Sequence, residues 1–172
     1  MFMAVPKADV YRWIGRRSDA DGDILSKVRT DPVAATWHPL NVAWLPETAE
    51  RPTCDFPIFH PIVHCISQRA ADLLAPFTEG NIELLAIQGL RESYVAAHCI
   101  QWVEALIPMP LDPHMSIHST NYIPRLKRSA VEGLEIFGVF PMVAKLFVSS
   151  SVKSAVESAG LTGLEFYPVE LA

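Results

Sequence analysis

The residues whose types could do chemistry gather first in CDFPIFHPIVHC (54–65), where Cys54, His60, His64 and Cys65 fall within a dozen positions. His98 and Cys99 follow as neighbours, and His114 and His118 stand four apart further on. Thiolates and imidazoles are zinc ligands, so a metal centre is the first chemistry to weigh. A structural zinc site pairs two Cys a few residues apart, or two His one helical turn apart. His60 and His64 straddle Pro61 in an extended stretch, and His114 and His118 lie in a proline-rich one. His64 and Cys65 are adjacent on a strand pattern, so their side chains point to opposite faces and cannot share an ion. The expectation is no metal and no cofactor, with His64 and Cys65 serving as core positions.

Other chemistry is also weakly supported. DADGD (19–23) resembles the start of a calcium loop, but the sixth and twelfth places, which want Gly and Glu, hold Ile24 and Thr30. The serines at 149–151 lack the glycines of a nucleophile elbow and stand where a helix begins. No glycine-rich phosphate loop is present. Glu83 and Glu165 form a possible carboxylate pair, read here as two outward-facing strand residues at equivalent places. No catalytic residue is assigned.

The chain of 172 residues has half of its residues hydrophobic and 19% charged, which suits one packed domain and argues against disorder. Its net charge of −5 disfavours nucleic acid as a partner. The most apolar tract, 133–148, is interrupted by Glu135, Pro141 and Lys145 and is too short to span a bilayer. The first residues lack the order of a secretory signal, and the three cysteines fit a reducing compartment. A cytoplasmic protein with no membrane partner is expected.

The elements that must position these residues show a repeat. IVHCI (62–66) reads as a strand, Ser67 as an N-cap, and Ala70, Leu73, Leu74 and Phe77 as one helical face. Pro76 and Gly80 should stop that helix before the strand IELLAI (82–87). AKLFV (144–148), the cap serines, Val152, Ala155, Val156 and Ala159, Gly160 and LEFYPV (164–169) repeat the pattern. Ser67 falls on Ser149, Glu83 on Glu165 and Ile87 on Val169 without a gap, an offset of 82 positions. The fold expected is α+β, a single domain over 1–172 with two similar strand–helix–strand units (62–87 and 144–169) around a mixed sheet. Residues 1–55 read as more irregular strands and loops, and 56–172 as the duplicated core. VYRWIG (10–15) alternates like a strand, RRSDADGD (16–23) reads as a polar turn, and TWHPLNVAWLPE (36–47) as an extended segment near a sheet edge. YVAAHCIQWVEAL (94–106) is read as a strand, and 107–124, with its four prolines, as the longest loop.

KLFVSSSVKSAVESAGLTGLEFYPVE (145–170) resembles the end of a family of bacterial immunity proteins from polymorphic-toxin systems, formerly a domain of unknown function. The matching elements are the strand and Ser of Leu146 to Ser149, the helix of Val152 to Ala159, the turn of Gly160 to Gly163, and Phe166. ISQRAADLLAPF, IELLAI and SYVAAHCIQWVEAL fit the family's central spacing, while IPMPLDPHMS replaces its usual polar stretch. The resemblance implies a non-enzymatic inhibitor whose partner is a cognate toxin, and it carries over no catalytic residue. His114, Met115, His118 and Tyr122, with the acidic Asp19, Asp21 and Asp23, are the candidate partner-binding residues. Two alternatives stay open: a small metal-dependent hydrolase using His60, His64 and His98, and a structural module of a secretion system. A homodimer is compatible with the apolar composition.

Overall fold

Two serines start the two principal helices in the same way. Ser67 and Ser149 both hold extended backbone, and each hydroxyl accepts the amide N–H three residues on, from Ala70 and from Val152, both at 3.1 Å. Each cap satisfies one of the amides that a helix start leaves without a partner. The computed structural model describes residues 1–108 and 122–172. In chain order these form β1 (Phe2–Pro6), β2 (Ile14–Arg16), α1 (Asp19–Lys27), β3 (Leu40–Trp44), β4 (Val63–Ser67), α2 (Gln68–Thr78), β5 (Ile82–Gln88) and β6 (Tyr94–Cys99). They continue as β7 (Trp102–Val103), β8 (Leu106–Ile107), β9 (Arg125–Leu126), α3 (Arg128–Val131), β10 (Ile136–Val139), β11 (Leu146–Val148), α4 (Ser150–Ser158), β12 (Leu164–Pro168) and β13 (Glu170–Leu171).

The fold is α+β, and both strand–helix–strand units are present: β4–α2–β5 and β11–α4–β12. Each unit builds its own five-stranded mixed sheet, in the orders β2-β3-β5-β6-β4 and β12-β1-β11-β10-β7, and β13-β9-β8 form a small third sheet. In neither unit do the two strands pair with each other. β6 lies between β4 and β5, antiparallel to both, and β1 lies between β11 and β12 in the same manner.

The register makes the equivalence residue-specific. Ala96 pairs with Cys65 on one side and Leu85 on the other, while Met3 pairs with Phe147 and Tyr167. The 82-residue offset carries Cys65 to Phe147 and Leu85 to Tyr167, so Met3 stands in the place of Ala96. Val95 and Phe2 correspond likewise, as do Ala97 and Ala4. The middle strand follows its unit in the first half and precedes it in the second, so the halves are circular permutations of one arrangement. The N-terminal strand, read from sequence among irregular segments, is therefore the middle strand of the second unit, one in from the edge of its sheet.

Alternation along these strands divides the interior into three cores. Ile66, Ala70 and Leu74 meet Val148, Val152 and Val156 between the two units, with α2 against α4. Behind the first sheet, Cys65, Leu85 and Ala96 pack with Leu25, Val28 and Leu40. Behind the second, Met3, Phe137 and Phe147 pack with Leu126, Val131 and Met142. Phe137 and Phe147 are fully buried, which contributes about 1.5–3 kcal/mol each.

Three local readings are corrected. RRSDADGD is not only a turn, because Ser18 caps α1 by accepting the Asp21 amide and the DADGD residues are helical. Pro76 does not end α2, which runs to Thr78; a proline near the C-terminal end forfeits one ladder bond but leaves the preceding turns intact. Of VYRWIG only Ile14 and Gly15 enter a strand, whose partner β3 lies one strand in from the edge.

Candidate functional site

His64 and Cys65 do lie on opposite faces of β4. Cys65 enters the core behind the first sheet, and His64 faces the seam between the units. There it lines an apolar cavity of about 80 Å³ together with Ile66, Leu74 and their counterparts Val148 and Val156. Leu146, the residue equivalent to His64, lines the same cavity. Burial pushes the His64 imidazole down to about 4, with His60 and His98 adding to the shift. His60 bounds a neighbouring opening of about 350 Å³ with Phe59 and Lys145, and His64 borders both spaces. His60 Nδ1 accepts the amides of Ile62 and Val63, both at 3.3 Å, which places any single ring proton on Nε2. Burial, then Arg16, lowers its pKa. Lys145 is buried and lowered by that burial, and its Nζ donates to the Tyr122 carbonyl at 3.3 Å.

His98 lies on the other face of the first sheet, where it pairs in register with Val63 and Glu83. It is fully buried, with Nδ1 3.0 Å from Glu83 Oε2 and Nε2 2.7 Å from the Arg29 carbonyl. Two acceptors around one imidazole are both satisfied only when both ring nitrogens carry protons. Glu83 also accepts the amides of Val33 at 2.8 Å and Ala34 at 2.9 Å. Burial alone would raise its carboxyl, but the Val33 amide, the His98 imidazole and the Ala34 amide together hold it below its ordinary value. This arrangement ties the loop before β3 to the back of the sheet. Its counterpart Glu165 is exposed, faces Val5 in register, accepts the Tyr167 hydroxyl at 2.7 Å and lies 3.8 Å from Lys7. The outward-facing reading of the two glutamates holds for Glu165 and fails for Glu83. Only the strand register brings Glu83 to His98, and no local sequence signal carries it.

The hydrolase constellation does not assemble, because the sheet separates His98 from His64 and His60. Among the described residues no group of three or more His, Cys, Asp or Glu could hold a metal. Cys54, Cys65 and Cys99 are all free and buried; burial raises the thiols of Cys54 and Cys99 to about 11 and pushes Cys65 further up.

The candidate partner residues fare unevenly. Asp19 and Asp23 are exposed on α1. Asp21 is buried, and its carboxylate accepts the Ser18 hydroxyl and the Asn41 amide, so it serves the helix start instead of a surface. Tyr122 is also buried, against Leu126 and Met142, and is no surface anchor. His114, Met115 and His118 lie outside the described residues.

No protein-family model matches the chain, and no curated protein matches it.

The first residues of the opening stretch have an architectural role. Asp55 Oδ1 accepts the Ser67 hydroxyl at 2.7 Å, and Oδ2 accepts the Thr162 amide at 2.9 Å and its hydroxyl at 3.2 Å. One carboxylate thus joins the cap of α2 to the turn after α4. In the second unit Ser149 donates to the Glu135 carboxylate in the corresponding way. Ser67 and Ser149 also donate their amides to the Asp55 and Glu135 carbonyls, at 2.8 and 2.9 Å. Gly163 closes the turn at φ +107°, where a Cβ would come within 2.8 Å of Cys54 Sγ and 2.9 Å of the Phe56 carbonyl. Gly163 of the C-terminal motif is therefore required by packing. No helix among the described residues is long and apolar enough to cross a membrane.

Proposed function

We propose that this chain is a non-enzymatic immunity protein that binds a cognate bacterial toxin and neutralises it stoichiometrically in the cytoplasm. The observation that carries the proposal is the C-terminal motif itself. The segment that resembles the immunity family, Leu146 to Phe166, folds as strand, capped helix, glycine turn and strand, and its turn is clamped by Asp55. Its polar side chains hold a scaffold together, which supports recognition by shape and surface over chemistry at a site. The groups that sequence offered for catalysis are used in the same manner: His98 and Glu83 bind each other and backbone.

The contact surface is proposed to include Ile123. Tyr122 turns into the core and leaves Ile123, its neighbour, 42% exposed beside the proline-rich loop. Large exposed apolar side chains with polar surroundings anchor many interfaces. The test is co-expression with the large reading frame that adjoins its gene, followed by pull-down and growth rescue. The expected result is a one-to-one complex and protection, with Ile123→Glu weakening the complex about tenfold or more. A folded protein that gives neither complex nor protection overturns the proposal.

A further inference from the structure

A second feature, independent of the immunity reading, lies at the far end of the first sheet. Three arginines line one pocket of about 410 Å³: Arg12 before β2, Arg17 after it, and Arg91 in the turn between β5 and β6. None of the three forms an ion pair within the described residues. The carboxylate that faces them, Glu92, accepts the Trp44 indole N–H at 3.3 Å. In a chain of net charge −5, three guanidinium groups against one carboxylate make a local field opposite to that of the whole molecule.

The pocket is built on fixed backbone. The Arg12 amide donates to the Pro52 carbonyl at 3.0 Å, and the Arg17 amide to the Asn41 carbonyl at 2.9 Å. The turn carrying Arg91 packs closely on β3: at Gly89, φ +101°, a Cβ would lie 2.4 Å from the Val42 carbonyl oxygen. Trp44 forms the floor, with the Arg12 guanidinium 5.1 Å from its ring centroid and Tyr94 edge-on at 5.5 Å. Arg12 Nε is buried there without a hydrogen-bond partner among the described residues. An orphaned buried donor is costly.

We propose that this pocket binds a phosphate oxyanion, either free or as the terminal group of a small phosphomonoester. A carboxylate matches a single guanidinium fork, whereas phosphate presents several terminal oxygens, and three arginines line this pocket from separate segments. Trp44 holds the Arg12 fork in one orientation, so less side-chain freedom is lost when the anion arrives.

The experiment is calorimetric titration of the full chain at low ionic strength with inorganic phosphate and, separately, with phosphoserine. Saturable binding that weakens with added salt is expected. Phosphoserine tighter than phosphate assigns the pocket to an ester, and equal affinities assign it to the free anion. Arg17→Gln with Arg91→Gln, at two exposed positions, should weaken binding about tenfold or more, since each change removes a charged donor from the pocket. Glu92→Gln, which keeps an acceptor for Trp44, should strengthen it. No saturable binding of either ligand to the folded chain, or unchanged affinity in the arginine double variant, overturns the proposal.

Discussion

Asp55 and Thr162, 107 positions apart, hold each other through three hydrogen bonds. The Asp55 amide donates to the Thr162 carbonyl at 3.0 Å, and the Thr162 amide and hydroxyl both return to Asp55 Oδ2. Since Oδ1 accepts from Ser67, this carboxylate fastens both units at once. Asp55→Ala would leave the Ser67 hydroxyl and the Thr162 amide without their acceptor, at a cost of about 2–4 kcal/mol. Asp55→Asn, with one oxygen retained, should lose less. Urea denaturation of the two variants beside the wild type measures the order.

Glu83 gives a pH dependence with a definite sign. Its folded-state pKa lies below the ordinary 4.5, so its contribution is fully present above that value and is lost as pH falls through the lowered one. Glu83→Gln should remove that part of the acid destabilisation. Glu83→Ala should cost about 2–4 kcal/mol at neutral pH, because the His98 imidazole and two amides lose their acceptor. Denaturation curves at neutral pH and near pH 4 separate the two effects; equal acid sensitivity in wild type and Glu83→Gln would contradict the assignment.

His64 acts in a different window. Its folded value of about 4 lies below the ordinary 6.5, so the unfolded chain binds a proton that the folded chain refuses between those limits. Stability should therefore fall as pH drops from 6.5 toward 4. His64→Leu, the residue its counterpart Leu146 already supplies, should reduce that slope to the part His60 contributes and raise stability at pH 5. Proton NMR titration of the imidazole checks the same value directly.

Gly163 and Gly80 test backbone against space. Both have positive φ, +107° and +76°, but a Cβ at Gly80 meets nothing within 4 Å, while one at Gly163 meets Cys54 Sγ and the Phe56 carbonyl. Gly80→Ala should cost about 1 kcal/mol, the conformational penalty alone. Gly163→Ala should cost clearly more, about 2–4 kcal/mol, because the tightest neighbours include backbone. Thermal melts of the two variants give the comparison.

What could be read from sequence was the part encoded locally. Ser67 and Ser149, the stripes through Leu74 and Val156, and the strands on either side repeat at one spacing, because capping and helical periodicity act between near neighbours. The middle strands were a different matter. β6 adjoins its unit in the chain and β1 does not, so a search at fixed offset has nothing to align with Met3. Glu83 and His98 are joined only by strand register, which their own stretches do not encode. Tyr122 looked like an anchor by its type, yet its ring packs beside Leu126 in the core. The helix at Asp19–Lys27 was obscured by its composition, since Asp and Gly have low helix propensity and only the Ser18 cap signals it.

The permuted order has a consequence for how the molecule comes into being. β4, α2, β5 and β6 are contiguous, so the first half can close over short loops while later residues are still being made. β1 is synthesised well before both of its partners, β11 and β12, which follow the whole first half. Until then its Phe2 and Met3 have no sheet to join, and the loop that must close encompasses the already folded half. Emergence of the second half from the ribosome would then be the step that converts a half-formed molecule with an exposed apolar strand into the finished one, and the interval between them is when a holdase would have something to grip.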